Sequence, residues 1–300
     1  MNGSERAALD WTRIEGAVFR VRHHYRYVYT APVFDMRQRL VMVPPDQHLD
    51  QTLRSWSLDV RGASGQRTVE WSTDMFGNRV CRVVAEHVEH AVDFDAGFVV
   101  ERRAQDGPPV ACLPAPEVEA YRSHTALTAP DHRIRAAATG ISSRARTGSQ
   151  LVEQAHDWTA RAIEYESGVT GTQTPAAMAL HLGRGVCQDY AHIMLSVLRT
   201  LGIACRYVSG HLVGEGAPHA WVEVLSATSE PDCYAVTAFD PTHHRRAGAN
   251  YISVAVGRDF ADVTMTSGVF SGAATGRLHW SKQAEVVDVE LSKSEQDAAA

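Results

Sequence analysis

The sequence lacks most of the features that would mark a specialised class. Its five cysteines are an odd number with no close pairs, which argues against a disulfide framework and against a Cys-x-x-Cys metal or redox site. No segment comes near the ~18 to 20 continuous apolar residues of a membrane span. The opening Met1-Asn2-Gly3-Ser4-Glu5-Arg6 lacks a signal-peptide core, so a soluble, cytoplasmic protein without a membrane partner is expected. The net charge of −6 leaves no basic stripe for nucleic acid. Arg22, Arg26, Arg37 and Arg39 alternate with apolar residues and read as solvated strand faces. There is no Asp-x-Asp-x-Asp-Gly loop to support calcium dependence, and neither a metal nor another cofactor is expected. No internal repeat is present.

What remains is globular: 44 % apolar and 21 % charged residues in a chain of 300, long enough for two domains with separate cores. From Val18 to about Arg102 the apolar residues recur with period two, as in Ser55-Trp56-Ser57-Leu58-Asp59-Val60. Turn signals such as Gly77-Asn78 interrupt them, which predicts antiparallel strands. Residues 104–118, with Pro108, Pro109, Pro114 and Pro116, read as a stiff linker. Beyond it the period becomes helical. Ser149 is a candidate N-cap, Thr174-Pro175 starts a second helix, and Cys187 to Leu201 forms a third that buries Ala191, Met194, Leu195 and Leu198. Strands follow near 203–213, 219–226 and 233–240, and Val287, Val289 and Leu291 add an edge strand. The division is a flexible N-terminus 1–16, a β domain 17–103, the linker 104–118, a second domain 119–291 and a disordered tail 292–300.

One cysteine stands apart. Gly185-Val186-Cys187 puts a thiol at a turn that opens directly into the most apolar helix. The unpaired N–H groups at a helix N-terminus favour a thiolate. At the reference thiol pKa only about 3 % is ionised at pH 7, so a nucleophile needs a base. His219, in Pro218-His219-Ala220-Trp221-Val222-Glu223, is the candidate base, and Asp240, in Phe239-Asp240-Pro241-Thr242, the carboxylate that orients it. Cys81, Cys112, Cys205 and Cys233 lack the turn-then-helix setting and read as structural.

The Gly-Val-Cys-Gln-Asp-Tyr-Ala-His string at 185–192, the His-Ala-Trp-Val-Glu string at 219–223 and Phe239-Asp240-Pro241-Thr242 resemble the three motifs of the bacterial transglutaminase-like proteins. These belong to the superfamily that includes papain-like cysteine peptidases. Val256-Gly257-Arg258-Asp259 is similar to a further segment of that family. Arg22-His23-His24-Tyr25, Arg37-Gln38-Arg39-Leu40 and Asp74-Met75-Phe76-Gly77-Asn78 resemble the N-terminal domain that accompanies it. Tyr251 stands where the family favours a histidine, and Thr264 and Met265 where prolines are common. The resemblance implies an α+β fold: an N-terminal antiparallel β-sandwich-like domain, then a papain-like transglutaminase core with the nucleophile helix packed on an antiparallel sheet.

Chemically, the set implies a Cys-His-Asp triad that attacks an amide or ester carbonyl and passes through a thioester. Hydrolysis of a peptide or isopeptide-like amide is the leading expectation. Transfer of the acyl group to an amine is the alternative, and a non-catalytic binding module a further one. The Cys187 N–H is the first oxyanion donor, and the resemblance suggests Tyr165 as the second. Gln188, Trp221 and Arg258 complete the oxyanion and substrate candidates, with Trp221 shielding the His219 ring and Arg258 either pairing with Asp259 or meeting a substrate carboxylate. Asp189 and His192 read as structural hydrogen-bonding groups. His243-His244-Arg245-Arg246 reads as an exposed turn without the third ligand a metal would need.

Overall fold

The computed structural model describes residues 10–291. The tail 292–300 and the first nine positions of the expected flexible N-terminus lie outside the described residues. Within them, Trp11–Arg13 form one 3₁₀ turn and the first strand begins three residues ahead of the expected border at 17. The first unit is built from β1 (Ile14–Tyr29), β2 (Val33–Leu40), β3 (Gln47–His48), β4 (Gln51–Thr73) and β5 (Arg79–Arg103). In β1, Phe19, Val21, His23 and Tyr25 are buried, whereas Arg20, Arg22, His24 and Arg26 alternate with them on the other face. That is the period-two pattern of a half-covered strand.

The chain then crosses to the second unit. It contains β6 (Val110–Cys112), α1 (Ala115–Arg122), α2 (His132–Arg144), α3 (Gly148–Ala160), β7 (Glu164–Tyr165), α4 (Ala176–Leu182), β8 (Arg184–Gly185) and α5 (Cys187–Thr200). After them come β9 (Cys205–Leu212), β10 (His219–Ala227), β11 (Cys233–Asp240), β12 (Arg245–Arg246), β13 (Tyr251–Gly257) and α6 (Phe260–Val263). The side chain of Thr147, not Ser149, caps α3, and Pro175 occupies the N-cap of α4 rather than its first helical position. The second sheet runs β12-β11-β10-β9-β13, with β6 added beside β11.

Helix α5 packs against β9 and β10 and against α2, α3 and α4. Residues 188 to 199 are accordingly buried on every face, more than the one-sided burial that the periodicity predicts. Arg199, near its C-terminus, is buried and donates to the carbonyls of Tyr121, Cys205 and Arg258 and to Thr128 Oγ1.

Two expectations change. First, residues 266–291 do not stay with the second unit: β14 (Thr266–Ser271) pairs with β2, and β15 (Gly276–Leu291) pairs with β1 along its whole length. The N-terminal strands are thereby joined into one seven-stranded hydrogen-bonded sheet, in place of a self-contained sandwich ending at 103. Alternation predicts a strand but not its partner, which is why the boundary at 291 misled. Second, Cys112 and Cys233 are disulfide-bonded, correcting their reading as unpaired structural thiols. They are register partners across β6 and β11 although 121 residues apart, a proximity that counting cysteines and spacings does not reveal. Part of the expected linker is therefore a strand. Cys81, Cys187 and Cys205 are free.

The two units meet along the edge strand β13. Its backbone is met by amide side chains of the first unit, acting as a substitute strand. The Gln51 amide bonds Ser253 at both N and O (2.9 and 2.8 Å), and the Asn78 amide bonds Val256 in the same way (2.8 and 2.7 Å). Edge groups that would otherwise stay unpaired are satisfied.

Candidate active site

Cys187 is the first residue of α5 and half-buried. The turn before it is fixed by Asp189, whose Oδ2 accepts hydrogen bonds from Val186 N (2.8 Å) and Thr170 Oγ1 (2.6 Å). Gly185 has to be glycine, because a Cβ there would lie 2.6 to 2.8 Å from the Asp189 carboxylate. His192 is likewise engaged away from the thiol, its Nε2 accepting from Phe260 N.

His219 opens β10 and Asp240 closes β11, a neighbouring strand, so the two side chains meet at one end of the sheet. The His219 Nε2–H donates to Asp240 Oδ2 at 2.7 Å. Burial would push the His219 pKa down, but the hydrogen bonds and charges of Asp240 and Cys187 outweigh it and raise it to about 10. Cys187 and Asp240 thus both act on the one imidazole. Burial alone would push the Asp240 carboxyl up; the bonds from His219 and His243 hold it well below the usual carboxylate range.

Asp240 is more fully bonded than the sequence reading anticipated. Its Oδ2 also accepts from His243 Nδ1 and from the Tyr251 hydroxyl, each at 2.7 Å, and its Oδ1 from the backbone N–H groups of Thr242 and His243. His243 is therefore part of the site and not only an exposed turn. Tyr251, noted before only as a departure, fills the position with a neutral donor, its hydroxyl also accepting from Arg245 Nε. Glu215, in the loop before β10, was missed altogether. Its carboxylate lies 3.5 Å from His219 Nδ1 and 2.9 Å from His243 Nε2. The aspartate's place three residues before His243 was the one available signal, since a side chain at that spacing can fold back on a turn.

The secondary candidates separate. Tyr165 is 61 % exposed and pairs with Gly185, two residues before Cys187, across β7 and β8; burial, then the charges of Cys187 and Glu215, raise its hydroxyl pKa. Trp221 is 1 % exposed, with its ring stacked 6.2 Å from His219 and edge-on to Tyr251. Gly210 makes room for it: a Cβ there would meet Trp221 at 2.5 Å. Gln188 is buried, its Nε2 donating to Gly171 O. Arg258 pairs with Asp262 and not with Asp259, and its guanidinium lies over Phe76. Asp259 instead caps α6. Among the described residues, two groups have the composition to hold a cation, Glu215 with His219 and His243, and His156 with Asp157 and His244.

A helix-borne cysteine facing a histidine and an aspartate on an antiparallel sheet is the architecture of the papain-like cysteine enzymes. The sequence comparisons agree with it. The transglutaminase-like superfamily profile matches residues 135–235, and the bacterial transglutaminase-like N-terminal region matches residues 19–101. The chain thus carries a region similar to the transglutaminase-like core and, before it, one similar to the bacterial transglutaminase-like N-terminal region. Among curated relatives, uncharacterized protein ML0607 of Mycobacterium leprae is 37 % identical over 158 residues, covering 49 % of this chain and 54 % of that one. Uncharacterized protein Rv2569c of Mycobacterium tuberculosis is 32 % identical over 155 residues, covering 47 % and 46 %. The chain spans about half the length of the curated relatives it matches. A crystal structure of a candidate cysteine protease from Cytophaga hutchinsonii has the same fold, with a TM-score of 0.74 and 18 % identity over 94 % of this chain and 95 % of that one.

Proposed function

We propose that the protein is a cysteine-dependent acyl-transfer enzyme that cleaves peptide or isopeptide-like amides, with Cys187 as nucleophile, His219 as base and then acid, and Asp240 as orienter. The observation that carries this reading is the His219 imidazole, hydrogen-bonded to the Asp240 carboxylate at 2.7 Å and within electrostatic reach of Cys187 at the start of α5. The thiolate adds to the amide carbonyl, and the oxyanion is met by the Cys187 N–H and by the Tyr165 hydroxyl. His219 gives its Nδ1 proton to the leaving amine as the C–N bond breaks, which leaves a thioester. Water then gives a proton to His219 and attacks the thioester, releasing a carboxylic acid and restoring the thiol. A primary amine in place of water gives a new amide, and that is the transferase alternative. Gln188 and Trp221 act by shaping the wall beside the thiol and the imidazole.

No helix among the described residues is long and apolar enough to cross a membrane. The Cys112–Cys233 bond bears on the compartment, since disulfides persist where conditions are oxidising. The bonded pair speaks for such a compartment over the expected cytoplasm.

Intact-mass measurement of the protein with peptide amides and esters, with and without a primary amine, tests the reading. The expected result is a transient acyl adduct on Cys187 that is absent in Cys187→Ala, and release of acid in preference to amine-capped product. Products that persist unchanged in Cys187→Ala would sink it.

A further inference from the structure

The two imidazoles around Asp240 share an arrangement that the acyl-transfer reading does not use. One carboxylate oxygen, Asp240 Oδ2, accepts from Nε2 of His219 and from Nδ1 of His243, at 2.7 Å each. Asp240 is buried and acceptor-only, so each ring must present N–H to it, and the tautomer of both rings is fixed. Their remaining nitrogens, His219 Nδ1 and His243 Nε2, then face one group, the Glu215 carboxylate, at 3.5 and 2.9 Å. A carboxylate behind a histidine that turns its free nitrogen outward is the usual way a metal-binding imidazole is oriented. Here a single carboxylate does so for two rings.

The dimensions suit a tetrahedral ion. Bonds of about 2.0 to 2.1 Å imply ligand atoms roughly 3.3 Å apart; His243 Nε2 lies 2.9 Å from Glu215 Oε1 and His219 Nδ1 3.5 Å from Glu215 Oε2. One ligand atom from each of the three residues lies within 4.8 Å of the others. The loop carrying Glu215 is held in place, with Glu215 N donating to Leu212 O and Lys282 Nζ to Ala217 O. Glu215 and His243 are each about one-third exposed, so an ion has access from solvent.

We propose that Glu215, His219 and His243 form a Zn²⁺ site that switches the enzyme off. Zn²⁺ takes the outward lone pairs of His219 Nδ1 and His243 Nε2, and any proton on either nitrogen passes to solvent. An imidazole whose lone pair is on the metal cannot accept the Cys187 proton. The switching rests on the proposed role of His219 as base; the three-ligand site does not.

The test is Zn²⁺ titration of the full chain against a chromophoric chelator, with iodoacetamide alkylation of Cys187 followed by mass in parallel. The expected result is one saturable site per chain. His243→Ala and Glu215→Gln should each weaken it by about tenfold or more, while His244→Ala, in the other His-Asp-His group, leaves it unchanged. Alkylation should slow on adding Zn²⁺ and recover with chelator. Zn²⁺ binding unaffected by His243→Ala and Glu215→Gln, or lost in His244→Ala, overturns the site. So does the absence of saturable binding. A thiol that alkylates slowly with or without zinc speaks against the acyl-transfer reading, and the chelator titration decides the metal site regardless.

Discussion

Two buried carboxylates in neighbouring strands of one sheet, Asp240 and Glu223, look alike by any single measure. Both are almost sealed from solvent, and both are held below the ordinary carboxyl range. Their partners differ. Glu223 accepts from Arg206 Nε at 2.7 Å and meets His48 Nε2 at 3.0 Å, so a permanent cation and a histidine of the first unit lock it into the junction between units. Asp240 is surrounded by two imidazoles, a phenol and backbone N–H groups, whose protons can move and whose far sides open toward the thiol and the solvent. Burial and a shifted pKa mark an expensive charge; the exchangeability of the partners marks a site that does chemistry.

The sharpest way to test that contrast is Asp240→Asn. Removing the charge that sets the His219 tautomer should lower Cys187-dependent acylation about 10⁴-fold, with the fold kept, as read by burst kinetics alongside circular dichroism. An equal loss of both activity and fold would erase the distinction between the two carboxylates.

Glu223→Gln should do the reverse. It leaves Arg206, 4 % exposed, without its counter-charge, at a cost of about 3–5 kcal/mol in denaturant unfolding, while acylation per folded molecule changes little. The pH dependence carries the same signature. The arginine and histidine charges outweigh burial and bring the Glu223 pKa down to about 2, below its ordinary 4.5. Its stabilisation is therefore present above 4.5 and is lost as pH falls through about 2. Glu223→Gln should remove one share of the wild-type loss over that window, with Asp240, Asp95 and Asp157, also held below the ordinary carboxyl value, among the groups contributing the rest. His219 has the opposite sign: raised to about 10, it stabilises fully below 6.5 and loses this as pH rises through 10.

The smallest expected effect is that of Tyr251→Phe. It deletes one of five donors to Asp240, and the partner it leaves, Arg245, is exposed. A loss of about 1–2 kcal/mol, or roughly tenfold in acylation, is expected. No change in acylation would show that the donors around Asp240 are redundant.

How much of this was legible depended on sequence distance. Cys187, His219 and Asp240 could be found because each sits in a local context with a chemical reason: a turn into a helix, the start of a strand, the end of a strand. Helix α5 and strands β9 to β11 followed from periodicity for the same reason. Glu215 and Tyr251 gave no such sign, since a lone loop glutamate and a strand tyrosine acquire meaning only when the sheet folds them onto Asp240 and His243. His243 was visible as a residue but not as a partner. Glu223 lay inside a recognised motif, yet its cation comes from β9 and its histidine from the other unit. The Cys112–Cys233 pair and the return of β14 and β15 were hidden by the same cause, pairing between segments far apart in the chain.

That return has a consequence for how the protein is made. Strand β1 leaves the ribosome before the whole second unit, and β15, which covers its edge from Gly276 to Leu291, only after it. Until β15 is made the first sheet carries an open edge, with β1 free to pair with another chain. The second unit is meanwhile spelled out between the two, so the sheet that starts before it closes after it.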